Sequence, residues 1–244
     1  MSIWNSVIGA FIGFSLGGPL GALLGGVIGS RFGSRKRIRN FSSGGRNQMA
    51  FFTALFACLA KLAKADGHVS REEVELVDQF MKERYKFDEE NRQFAIEVFN
   101  QAKDDKNSYE QYASQLSSLL GSNKNALVVF YELLFELAMA DKVLHINEEA
   151  LLKKTVYIFQ IDPELFNQLK ARFIGSGSDP YDILGVAKEI PFEEIKKVYQ
   201  KKRREFHPDT LTSKGLPKEL MDRAKERFIE IQEAYEEIEK KKLQ

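Results

Sequence analysis

The sequence predicts an all-α chain in three parts: a single transmembrane helix, a helical middle domain and a C-terminal helical hairpin. Three observations predict it. Residues 1–30 carry no charged side chain, and Arg31, Arg35, Lys36, Arg37, Arg39 and Arg46 follow at once. Residues 47–173 show recurrent helix-start chemistry, almost no Pro and no alternation of the kind paired strands need. Near the C-terminus, Phe206-His207-Pro208-Asp209 lies between a strongly basic segment and a second helical one.

The N-terminal run is long enough to span. Residues 7–30 cover 24 positions, and at about 1.5 Å per residue a helix of that length crosses a hydrocarbon core of about 30 Å. Within it Gly9, Gly13, Gly17, Gly21, Gly25 and Gly29 recur every fourth residue. At helical pitch they form a groove without side chains that lets two membrane helices approach closely, so the reading predicts a homodimer packed through this ladder. Gly18-Pro19 is a candidate kink, and a flexible stretch that never spans is the competing reading. A signal peptide would carry its basic residues before the apolar run; here they come after it, and no acidic residue precedes Asp66. The positive-inside rule then leaves the bulk of the chain cytoplasmic, at the inner membrane, with a short N-terminus outside. The basic segment, residues 31–46, suits anionic lipid head groups, a better partner than nucleic acid for a segment beside an apolar span.

The middle segment reads as six or seven helices. Ser70 with Glu73 and Ser108 with Gln111 have capping-box spacing, and Asp162-Pro163 is a cap followed by proline. An internal repeat runs through it: Ala63-Lys64-Ala65-Asp66-Gly67-His68 before Glu72-Glu73 echoes Ala138-Met139-Ala140-Asp141-Lys142 before Glu148-Glu149. Each half is an apolar helix that ends at Ala-Asp, turns, and restarts on two carboxylates. On these turns the segment resembles the tellurite-resistance TerB-like domain. Asp66, Glu72, Glu73, Asp141, Glu148 and Glu149 have the chemistry to hold a hard divalent cation, calcium or magnesium, although the spacing is not that of an EF-hand. Glutamates in a first turn also simply favour the helix dipole, and His68 and His145 read as turn residues. Cys58, the only cysteine, sits in Phe56-Ala57-Cys58-Leu59 and reads as a small buried apolar residue; no intrachain disulfide can form. Residues 174–178 read as a short Gly/Ser tether.

The C-terminal segment folds into a hairpin on simple grounds. Ile195, Val198, Tyr199 and Phe206 share one helical face, and Pro191 suits a helix start. Pro208 biases His207 out of the helix, so the first arm ends near Phe206. Leu220, Ala224, Phe228, Ile231, Tyr235 and Ile238 give the second arm a matching stripe. Lys196, Lys197, Lys201, Lys202, Arg203 and Arg204 make the first arm positive, suited to an acidic partner.

With Asp179-Pro180-Tyr181-Asp182-Ile183-Leu184-Gly185 upstream and Phe228-Ile229-Glu230-Ile231-Gln232-Glu233-Ala234-Tyr235 downstream, residues 179–242 closely resemble the J domain of DnaJ-class co-chaperones. The resemblance implies that His207, Pro208 and Asp209 trigger ATP hydrolysis in a DnaK-class chaperone ATPase and that Lys196, Tyr199 and Lys201 dock on it. It also implies no bond chemistry by this chain, and no required cofactor. Lys202 and Arg203 stand where the family usually has Leu and Ala, and Thr210 where a basic residue usually follows the tripeptide. The loop 211–217 is more like that of the membrane-anchored DjlA-type branch, and neither a Gly/Phe-rich stretch nor a CxxC repeat follows. The parts are then 1–30 anchor, 31–46 basic segment, 47–173 TerB-like domain, 174–178 tether and 179–244 J domain. The function expected is a membrane-anchored co-chaperone. The alternative is an envelope-stress or metal-responsive scaffold acting through the TerB-like domain, with a degenerate J-like adaptor. No Gly-rich phosphate loop, nucleophile elbow or zinc-protease helix supports an enzyme.

Overall fold

The computed structural model describes residues 17–27, 29, 43–65, 67, 69, 71–84, 87–120, 124–174, 179–207, 209 and 218–242. These residues are mostly helical, with no strand among them. Residues 17–27 form α1. The middle domain is α2 (Ser43–Ala63), α3 (Arg71–Arg84), α4 (Glu89–Asp104), α5 (Tyr109–Leu120), α6 (Lys124–Ala138), α7 (Ile146–Ile158) and α8 (Glu164–Ile174). The C-terminal unit is α9 (Pro180–Leu184), α10 (Phe192–Glu205) and α11 (Lys218–Lys242).

Two helices form the centre of the middle domain because they are apolar nearly all round, Thr53 of α2 and Glu132 and Glu136 of α6 being the polar residues buried with them. In α2 every residue from 51 to 60 is buried, and in α6 every residue from 126 to 137 is. Such helices need neighbours on all sides, and α4, α5, α6 and α7 supply them around α2. Phe130 ties the two, meeting Phe51 edge-on at 5.0 Å and Phe159 at 5.7 Å. Cys58 lies wholly inside this core. The flanking helices begin where the sequence supplies caps. Asp88 accepts from the Asn91 amide at 2.8 Å, the Ser108–Gln111 box closes in both directions, and Asp162 accepts from the Glu164 amide at 3.1 Å.

The repeated turns are alike in backbone. After α2, the Ala65 amide donates to Leu62 and Gly67 to Lys64; after α6, Ala140 donates to Leu137 and Lys142 to Met139. Gly67 (φ 111°) and Lys142 (φ 64°) both take positive φ at the matched position. The turns also touch, because the Asn147 side-chain amide donates to the Ala65 carbonyl at 3.0 Å.

Near the N-terminus, Gly18 takes φ 62°, a conformation glycine adopts without penalty, and the helix runs on from Pro19. Gln115 on α5 accepts from the Leu20 amide at 2.8 Å and donates to the Gly17 carbonyl. Leu20, Leu23 and Val27 are buried against the core. Of the glycine ladder, Gly17, Gly21, Gly25 and Gly29 are helical, whereas Gly9 and Gly13 lie outside the described residues. Among the described residues no helix is long and apolar enough to cross a membrane. Of the tether expected over residues 174–178, Ile174 is the last residue of α8, and residues 175–178 lie outside the described residues.

Candidate partner-docking site

The hairpin is assembled from the short helix upward. Asp179 caps α9 by accepting from the Tyr181 amide at 3.0 Å, Pro180 starts it, and Gly185 ends it at φ 62°. Helices α10 and α11 then close over Leu184 with Ile195, Phe206, Ala224, Ile231, Ala234 and Ile238 buried between them. Tyr199 stacks on Tyr235 with ring centroids 4.0 Å apart and planes 9° apart, so this proposed docking residue is half-buried and also holds the two arms together.

The helix stops where the sequence places the break. The Phe206 amide still reaches the Lys202 carbonyl at 3.0 Å, and His207 is out of the helix. Its ring packs edge-on against Phe228 at 5.6 Å, and its Nδ1 accepts from the Asp209 amide at 3.2 Å. In the neutral ring that bond leaves the proton on Nε2, free to donate elsewhere. The His207 side chain is 42% exposed and that of Asp209 91%. Pro208 and Thr210 lie outside the described residues.

Beside the tip runs an open groove of about 480 Å³ lined by Gln200, Arg203, Arg204 and His207. Gln200, Arg203 and Arg204 stand at i, i+3 and i+4 on one face of α10, and His207 lies just past the end of the helix. Lys196 is exposed one turn before Gln200. The sequence counts Arg203 and Arg204 among the basic residues of the first arm and gives Gln200 no mark of its own; the i, i+3, i+4 spacing of 200, 203 and 204 was the available signal. Lys201 lies off that face and pairs at 3.3 Å with Asp162 of the middle domain.

The carboxylates proposed for a cation are arranged as follows. Asp141 accepts from the Val143 amide at 2.9 Å, and Glu148 from the His145 amide at 3.0 Å. Glu149 is bracketed by Lys153 at 2.7 Å and Lys170 at 2.6 Å, which together hold its carboxyl below the usual range. Asp66 and the side chains of Glu72 and Glu73 lie outside the described residues. Among the described residues no three His, Cys, Asp or Glu side chains are placed to share an ion.

Three family models match the chain: the DjlA co-chaperone transmembrane domain over residues 1–40, tellurite resistance protein TerB over 52–171, and the DnaJ domain over 179–243. A co-chaperone protein DjlA of Aliivibrio fischeri is 34% identical over 99% of both chains. One of Photobacterium profundum is 33% identical over 83% of this chain and 82% of its own. No solved structure matches. A J domain with an exposed His207 and Asp209 beside a basic groove, a TerB domain and a DjlA transmembrane domain thus lie on one chain, which belongs to the DjlA family of membrane-anchored DnaJ-type co-chaperones.

Proposed function

We propose that this chain recruits a DnaK-class chaperone to the cytoplasmic face of the membrane and stimulates its ATP hydrolysis. The observation that carries the reading is the tip of the hairpin: an exposed imidazole and carboxylate beside the groove of Gln200, Arg203, Arg204 and His207. The groove attracts an acidic surface and sets the approach. His207 Nε2–H and the Asp209 carboxylate then offer a donor and an acceptor, two residues apart, to the docked partner. Nothing in this arrangement cuts or forms a bond in a substrate; the chain alters a partner's rate. The basic segment, residues 31–46, would rest on anionic lipid, and confinement to the surface would raise the local concentration of the recruited ATPase.

Binding of full-length protein in lipid nanodiscs to a DnaK-class chaperone tests the docking half. Affinity should fall steeply between about 0.05 and about 0.5 M salt, and Arg203→Glu with Arg204→Glu should abolish it. Salt-independent binding that tolerates both changes would remove the groove from the site. Homodimerisation through Gly9, Gly13, Gly17, Gly21, Gly25 and Gly29 is tested by crosslinking in membranes. Dimers that persist when all six become Leu would sink that part.

A further inference from the structure

We propose that the TerB-like domain clamps the J domain, withholding the Lys201 side of α10 from the ATPase until the clamp opens. The inference rests on the proposed docking of that ATPase on α10.

The clamp centres on charge. Glu132 on α6, within the core helix of the middle domain, lies 3.4 Å from Arg227 on α11 and 3.8 Å from Arg172 on α8. Both arginines also reach Glu230, Arg227 at 3.0 Å and Arg172 at 3.1 Å. Arg227 is 3% exposed and its remaining nitrogen donates to the Ile183 carbonyl at 2.9 Å, so the same side chain fixes α9, α11 and the middle domain together. Next to this, the Lys202 ammonium donates to Gln168 on α8 at 3.1 Å. Gln168 lies so close to the J domain that a Cβ on Gly185 would stand 2.7 Å from it. The cavity left between the faces, lined by Val129, Leu133, Phe206 and Ala224 among others, is only about 20 Å³, room for about one water. The faces are complementary rather than merely adjacent.

Two features make this contact releasable. Its centre is a buried ion network, whose desolvation roughly cancels its attraction; an apolar centre would have held more firmly. Glu132 Oε1 and Arg227 Nε are buried without a hydrogen bond of normal geometry, an expense that opening to water relieves. What the clamp covers matters for docking. At about 100° per residue, Lys196, Gln200 and Arg203 share the open face of α10, with His207 just past its end, while Lys201 lies around the helix, held by Asp162. The Lys201 side chain is itself 57% exposed, so a partner that takes it must draw it away from Asp162 at the edge of the TerB-like domain. One that uses the groove alone need not. A J domain partly withheld binds with an apparent affinity reduced by its open fraction.

The test uses full-length protein in nanodiscs with spin labels at Tyr157→Cys on α7 and Glu233→Cys on α11, both exposed positions; Cys58 is buried and escapes labelling. Two openings are made on the TerB-like side only: Glu132→Arg, and Asp162→Asn with Gln168→Lys, where asparagine removes the charge facing Lys201 yet still caps α8 and position 168 is half-buried on the side of α8 that meets Lys202. The clamp predicts one narrow distance distribution in the parent, broadening in either variant. It also predicts half-maximal stimulation of a DnaK-class ATPase at about fivefold lower concentration once open. A broad distribution in the parent overturns the clamp. Broadening with unchanged stimulation overturns the withholding. If no form stimulates while the distances behave as expected, the co-chaperone reading fails and the gating with it, leaving a docked interface of other purpose.

Discussion

Lys202→Leu should make the protein more stable, against the usual expectation for a residue in a polar contact. The parent side chain is 6% exposed, and its hydrogen-bond partner, Gln168, is neutral. Burial pulls its pKa below the ordinary lysine value, so the folded chain holds this proton less tightly than the unfolded one. Folding therefore carries a penalty at every pH where both forms are charged, and the penalty fades as pH rises through the lowered folded value toward the unfolded 10.5. Leucine removes a desolvation cost of several kcal/mol and saves about 1 kcal/mol of side-chain entropy. Against this stands a charged hydrogen bond of about 1.5–3 kcal/mol. The balance is a gain of about 2 kcal/mol, or about 4–8 °C in Tm for a soluble portion of this size. Thermal unfolding followed by circular dichroism in detergent micelles reads it at pH 7, 8.5 and 10. A Tm that drops, or a gain that does not shrink toward pH 10, would refute the reasoning.

The remaining predictions are smaller. Burial pushes the Cys58 thiol far up, so a thiol reagent such as dithionitrobenzoate should leave it untouched in the folded protein and titrate one equivalent in denaturant. Lys154 holds the Glu110 carboxyl down at about 2 by a 2.6 Å bond between α5 and α7. The depressed value means the pair stabilises above about pH 4.5 and is lost as pH falls toward 2. Because both side chains are part-exposed, Glu110→Gln should cost only about 0.5 kcal/mol in urea unfolding at pH 7, and nothing at pH 2. Tyr199→Ala removes the stack on Tyr235 and should lower stability by about 2 kcal/mol. Tyr199→Phe should keep stability, so any loss of ATPase stimulation in that variant belongs to the hydroxyl. Glu149→Gln should lower stability by about 0.5 kcal/mol through its two lysines, read by the same urea titration.

The J-domain hairpin was legible because several local signals agree: a proline start, a periodic apolar stripe and a Pro two residues past Phe206, in keeping with an α10 that ends at Glu205. The repeated turns were legible for the same reason, and the structure adds the matched positive φ at Gly67 and Lys142 and the Asn147 bond that joins them. Cys58 reads as buried in both. What could not be read was how the domains meet. Lys202 was visible as an anomaly in an apolar seam, yet its partner Gln168 lies 34 residues away on a helix whose own pattern marks it only as amphipathic. Glu132 sits in an apolar run, where one carboxylate signals nothing until Arg172 and Arg227 arrive from elsewhere. Tyr199 shows the opposite problem: a residue placed by family resemblance on the docking face is, in geometry, also half of a core stack.

The most direct measurement is single-turnover ATP hydrolysis by a DnaK-class chaperone with full-length protein in nanodiscs, parent against His207→Gln. Glutamine keeps the size and polarity of the imidazole at a position that is already out of the helix, so the fold should be untouched. Stimulation by the parent that vanishes in the variant is the predicted result. Equal stimulation by the two, or none from a folded parent, would contradict the claim that the exposed tip acts on the ATPase.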